Sequence, residues 1–421
     1  MTSGNSDLLM NLMSLIRICL VIVLVIASHS IVLGQANSRS AYNVFGIGTL
    51  QQKGTNAFRS MSFTGISGRI PGALNIENPA GITSTYGPNH MFDFGISYSS
   101  LNQQNSSEEA SLNALGLNSL NYWFRVSPKT ALTVGITKMS DASFDILDTN
   151  DRNEVLGNTD SRYIGEGGAS DFYFSLGHSL NKNLHLGVKS SFLFGSQLQT
   201  EYLISDDGNT ELTLEDRTSF IKAFIDFGLQ YELELGNGKK LTLGAVYGPG
   251  ANTRTKVESN ILIEGVDSLE SERNESIFIP QKRGVGLGLK LNSWQFLVDY
   301  EFENWGKNQG EESFSYRNKH SFSTGIQFQK DRASVRLAER MTFNAGFGVQ
   351  SNYVVVNETD FLNYQFSFGI GIPLNLQSFL NIGYSFSRSG TTANNLFLER
   401  AHELSLNISM RDLWFKKRTY D

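Results

Sequence analysis

Cysteine is all but missing. The single one, Cys19, sits in an apolar run near the start of the chain. That leaves no disulfide, no thiol nucleophile and no cysteine-based metal site in the rest of the sequence. Only 7 prolines occur in 421 residues, as suits a continuous hydrogen-bonded sheet, which has little use for a residue that cannot donate. Charged residues make up 18%, below the roughly 25% of soluble domains. A net charge of −6 gives no basic face for nucleic acid. Histidine is scarce too, with 6 in all, and no Ser/His/acid set stands at a recognisable spacing. Catalysis, a metal centre and a cofactor site are therefore not expected. Helical periodicity is almost absent, which removes the helical membrane proteins as well.

What is abundant is alternation with a period of two, together with 40 glycines and 29 phenylalanines. In Asp171–Leu180 the residues Phe172, Phe174, Leu176, His178 and Leu180 share one face. Asp171, Tyr173, Ser175, Gly177 and Ser179 share the other. Such a strand has a different solvent on each side, here an apolar aromatic one and a small polar one. Repeated many times, this is the pattern of a transmembrane β-barrel with lipid outside and a polar lumen inside. A soluble sandwich or propeller would need more proline and more varied core residues.

The alternation predicts strands at 90–99, 117–126, 130–139, 169–180, 183–195, 219–234, 239–248, 277–291, 293–304, 318–329, 341–355, 361–372, 379–388 and 402–411. That is fourteen, an even number as single-chain bacterial barrels require. Tight turns such as Ser127-Pro128-Lys129 and Gly236-Asn237-Gly238 alternate with long polar segments at 100–116, 140–168, 196–218 and 249–276. The short set belongs to the periplasm and the long set to the exterior. Lys330–Arg340 is long where a short turn is due and Asn357–Asp360 short where a loop is due, so the count carries a margin of two.

Arg17, the apolar run Ile18–Ala27 and the small residues of Ser28–Gly34 have the order of an export signal, placing residues 1–35 as a signal peptide cut near Gln35. The polar Met1–Ser14 leaves Met10 or Met13 as alternative starts. Residues 36–89, rich in Gly and Asn but too apolar for a disordered leader, are expected to form a plug in the lumen, with the barrel over 90–421.

These residues resemble the FadL-type long-chain fatty-acid transporters of Gram-negative outer membranes. The carriers of the resemblance are Phe45-Gly46-Ile47-Gly48 and Asn78-Pro79-Ala80-Gly81 in the plug, with Gly135–Ser140, Ile279–Gly288, Trp294–Tyr300, Trp305 and Gly369–Leu374 along the wall. The closing Asp412–Arg418 adds to them. The resemblance implies a fourteen-stranded barrel with an N-terminal hatch, in which Phe45, Gly46, Asn78, Pro79 and Ala80 are hatch residues. It also implies passage of a hydrophobic small molecule across the outer membrane, with outer-membrane lipid and lipopolysaccharide around the wall. The departure is in the loops: 140–168 and 249–276 are acidic and polar, not greasy. That favours the alternative, a barrel of the same fold acting as a subunit or shuttle, with protein partners, in envelope assembly or protein secretion.

Candidate ligand contacts are Lys222 and the plug arginines Arg59 and Arg69 as carboxylate anchors, with Phe224 and Leu297 as apolar residues on otherwise polar inward faces. His320 beside Ser321 and Ser323 reads as a girdle residue rather than part of a hydrolase site. Gly284–Gly288 reads as a place where a strand bends or the plug approaches, not as a phosphate cradle. Asp148–Glu154 and Asp206-Asp207-Gly208-Asn209 have oxygen-rich loop composition without the ligand spacing of a calcium site.

Overall fold

In the computed structural model, residues 40–412 are described except for short stretches at 53, 86–89, 107, 154–156, 206–209, 264–268, 309–313, 357 and 376–377. The expected signal peptide, the 206–209 loop and Leu413–Arg418 lie outside the described residues.

Fourteen antiparallel strands close on themselves. They are β1 (His90–Gln104), β2 (Glu109–Ser127), β3 (Thr130–Lys138), β4 (Gly157–Ser179), β5 (Leu184–Ser205), β6 (Thr210–Gly236) and β7 (Lys239–Gly248), followed by β8 (Lys282–Leu291), β9 (Trp294–Glu303), β10 (Lys319–Phe328), β11 (Thr342–Ser351), β12 (Leu362–Pro373), β13 (Phe379–Gly390) and β14 (Leu398–Asp412). Each pairs with its sequence neighbours, and β14 closes the ring against β1 from His90↔Asp412 to Gln104↔Leu398. All fourteen expected strands are present, so the two loops of irregular length do not alter the count.

The corrections lie at the strand ends. The expected strand 277–291 is two elements, because Pro280 has no donor and ends Leu269–Ile279 before β8 begins. The polar segments expected as loops largely continue as sheet above the membrane. Phe144–Asn153 pairs with the top of β4, and the hairpin Ala251–Ile263/Leu269–Ile279 pairs with the top of β6. Asp148–Asn153 is thus part of a strand, not an ion-binding loop.

The two faces separate as the alternation requires. Phe172, Phe174, Ile225, Phe227, Val298 and Tyr300 are exposed on the outer wall, a surface that only lipid makes favourable. Asp171, Tyr173 and Ser175 are buried inward. There the wall is knit by a polar chain. Asn121, Asn407 and Ser409 donate to Asp93, the Tyr173 hydroxyl donates to Asn121, and Lys189 bonds Asp171 at 3.0 Å while lying 4.6 Å from the Tyr173 ring centre. Buried charges are tolerable only when paired and bonded in this way.

Candidate functional site: a plug bonded along the lumen

The segment from Ser40 to Thr85 threads the barrel from its extracellular end towards the periplasmic start of β1. At the top, the Glu399 carboxylate of β14 accepts from Ser40 Oγ at 2.8 Å, from the Ala41 amide at 2.9 Å and from Gln103. Thr49–Leu50 then pairs with Ser140–Asp141 as a two-residue strand. Here the hatch residue Phe45 packs against Phe314, beside a buried cluster of Ile47, Trp305, Tyr353, Val354, Val356 and Leu396. Gly46, at φ +61°, lies under the Tyr316 hydroxyl, where a side chain would collide. The outer mouth is therefore covered by an apolar lid built jointly from plug and loops.

In the middle, the Asn78-Pro79-Ala80 turn does the positioning. Asn78 caps the 3-10 turn Pro79–Ser84: its Oδ1 accepts from the Ala80 amide at 3.0 Å, and Pro79 stands in the first turn, where no donor is needed. Its amide nitrogen donates to Ile66 O within the plug at 2.8 Å and to the wall carbonyls Leu229 O and Ala245 O at 3.1 and 3.3 Å. Asp299 of β9 accepts the backbone amides of Gly65 and Ile66 at 2.6 and 2.7 Å. Gln230 donates to Ile66 O, and the Trp123 indole donates to Ile82 O.

The wall meets this backbone with glycine. A methyl built at Gly187 would stand 2.2 Å from the Pro79 carbonyl carbon, and at Gly228 2.1 Å from Asn78 Oδ1. At Gly244 it would stand 2.2 Å from Ile66 O, at Gly346 2.2 Å from the Met61 carbonyl carbon, and at Gly369 2.1 Å from Ser60 Oγ. These glycines come from β5, β6, β7, β11 and β12, so the plug touches the wall on several sides at once. Gly286 in the Gly284–Gly288 run has Ser67 N at 2.9 Å from the same construction, which is the close approach expected of that run.

The sequence-predicted contacts fall in three places. Leu297 is fully buried among Ala57, Phe58, Met61, Ile70 and Ala73, a plug-to-wall core. Arg59 bonds Glu403 of β14 at 2.5 Å and lies over Phe63. Arg69 donates to Gln230 at 2.9 Å and faces Glu232 at 3.6 Å. Lys222 and Phe224 are elsewhere, half-buried on the inward face of β6, where Phe224 packs beside Ala169, Leu193, Phe220 and Ile279. The five do not converge on one point. His320 faces outward with Phe322, bonded to the Tyr300 hydroxyl at 2.8 Å, whereas Ser321 and Ser323 alternate to the lumen side, so no hydrolytic set forms.

One cavity beside the plug is lined by Gln51, Gln52, Gly54, Arg59, Asn118, Thr137 and Lys138 and holds about 20 Å³. That is room for a water molecule, far below the several hundred cubic ångströms of a small-molecule pocket. Sequence reasoning missed Asp299 and Arg332. The latter reaches from the turn 330–340 to donate to Pro71 O and lies 5.7 Å from the Phe379 ring centre, at the periplasmic end. A buried carboxylate on a strand gives no sign, in sequence, that its partners are backbone amides far away.

A family model described as BamG matches residues 15–421. The chain belongs to the BamG family. No curated protein matches it. Among solved structures it is similar to a Pseudomonas aeruginosa FadL homologue, at 13% identity and TM-score 0.61, over 86% of this chain and 99% of that one. It is also similar to the Pseudomonas putida toluene transporter TodX, at 14% identity and TM-score 0.59, over 85% and 98%. The Ralstonia pickettii toluene transporter TbuX stands at 15% and 0.56, over 86% and 98%. At these identities the likeness is one of fold. This BamG-family chain thus has a FadL-type barrel, the architecture of a Gram-negative outer-membrane protein.

Proposed function

We propose that this BamG-family barrel is a sealed, non-conducting subunit of an envelope-assembly or secretion apparatus, exported with a cleaved signal peptide. The observation that carries this reading is the plug. It is bonded to the wall at the outer mouth (Glu399), the middle (Asn78, Asp299) and the periplasmic end (Arg332), with wall glycines against its backbone. A conduit would have to break all of these together. The periplasmic turn supports the reading from outside the lumen. Val335 is 97% exposed and Leu337 41%, on a turn pinned by Lys330–Glu339 and Ser334–Glu339 bonds. Val335 and Leu337 give this braced turn an apolar tip that a protein partner would cover.

The test is retrieval from mild detergent beside uptake of a labelled long-chain fatty acid and of toluene by a deletion strain. The expected result is stable protein partners, fewer of them with Val335→Asp, and unchanged uptake. Loss of uptake on deletion, with no partner retrieved, would overturn it.

A second reading, passage of hydrophobic small molecules, is favoured by the fold shared with the channels named above. Under it Lys222 and Phe224 on the inward face of β6, with Leu297, Arg59 and Arg69, would contact the ligand after the plug had moved.

A further inference from the structure

The outward faces of β13 and β14 are apolar from the periplasmic end upward, then change abruptly. On β13 the outward residues run Leu380, Ile382, Tyr384, Phe386, Arg388. On the descending β14 they run Arg400, His402, Leu404, Leu406, Ile408, Met410. Arg388 and Arg400 are direct cross-strand partners. Like charges placed opposite one another destabilise a sheet unless something lies between them. Among the described residues nothing does. Among the described residues neither arginine has a carboxylate within ion-pair distance, and Arg400 has only the Gln104 amide oxygen at 3.5 Å. The flanking carboxylates Glu399 and Glu403 alternate to the lumen, where the plug's Ser40, Ala41 and Arg59 take them. Glu109, opposite Gln104 on β2, is two strands from Arg400 and three from Arg388.

Below the arginines the floor is ordered. His402 lies opposite Phe386 with ring centres 5.2 Å apart and bonds the Tyr384 hydroxyl at 2.8 Å. Tyr364 of β12 stands opposite Arg388. Amphipathic aromatics of this kind mark the depth at which lipid headgroups begin.

We propose that Arg388 and Arg400, flanked by His402, bind a phosphate group of an outer-leaflet glycolipid, whose acyl chains lie along Phe386, Tyr384 and Leu404. Arg388 and Arg400 stand on directly paired positions of adjacent strands, so two guanidinium forks can be brought to one phosphate, which suits them better than any single-charge donor. Their place on the lipid-facing wall, one step above the aromatic residues, selects a membrane-anchored phosphate over a free one. The site is independent of whether the lumen conducts.

The test uses the full chain in nanodiscs and native mass spectrometry, with bis-phosphorylated lipid A as probe. Binding is expected to weaken at least tenfold in R388Q/R400Q, and for the wild-type chain with lipid A stripped of its phosphates. Millimolar inorganic phosphate is expected not to displace the lipid. Without lipid the double variant is expected to be no less heat-resistant than wild type, because a repulsive pair has been removed. R388K, which keeps charge but loses the fork, is expected to bind severalfold more weakly. Equal binding by wild type and either variant, or displacement by inorganic phosphate, would overturn the proposal.

Discussion

A single side chain, Asn78, links three layers: it caps its own turn, donates to the neighbouring plug backbone and reaches two carbonyls of the barrel wall. The glycines opposite are the other half of the same contact. Gly244→Ala would drive a methyl against the Ile66 carbonyl, and overpacking of this kind costs about 1–3 kcal/mol. Gly116→Ala, where nothing lies within 4 Å, is the control and should be neutral. The measurement is the temperature at which the folded form disappears from a semi-native gel; equal midpoints for the two would sink the account. At this scale the sequence was only partly legible. Asn78-Pro79-Ala80 stood out through resemblance, and Leu297 stood out as apolar on a polar face. What it could not show is the partner: Leu297 faces plug, and Arg59 and Arg69 are held by Glu403 and Glu232.

Strands declared themselves because lipid imposes one rule on every outward residue, and that rule has a period of two. Their upper ends did not. Above the membrane both faces meet water, so alternation fades although pairing continues, as in the hairpin beside β6. The turn 330–340 also escaped, since its order rests on side-chain bonds rather than on a pattern. Those bonds predict its behaviour with pH. Hydrogen bonds from Lys330 and Ser334 hold the Glu339 carboxyl below the ordinary range, and Glu339 in turn raises Lys330. A lowered carboxyl stabilises above its unfolded value and fails only as pH falls through the lower folded one. A spin label at Val335→Cys should therefore keep one mobility from neutral pH down to about pH 5 and loosen only in stronger acid. Glu339→Gln should be mobile throughout. A transition near neutrality in the parent would refute this bracing.

For the whole molecule, the decisive question is whether the plug must move. Ser62 and Ser367 of β12 place their hydroxyl oxygens 2.9 Å apart, close enough for a disulfide in Ser62→Cys/Ser367→Cys. A fixed subunit should retrieve its partners equally well oxidised and reduced. If oxidation abolishes function and a reductant restores it, the plug is a moving part. Class, strand count and the existence of a plug could be read from the chain, because each follows from solvent contrast or composition. The degree of sealing could not, because it depends on contacts such as Ser62–Ser367, 305 positions apart.

The position of Ser40 has a consequence for biogenesis. It is bonded to Glu399, 359 positions later, at the end of the barrel opposite to where β1 begins. The first and last strands are also the pair that closes the ring. A finished cylinder could not easily be threaded afterwards through glycine contacts this close. Contacts this close fit a wall that curls shut around its own leading segment, as around a mandrel. Closure and plugging would then be one event, and a chain stripped of residues 40–85 should stall as an open sheet rather than emerge as an empty pore.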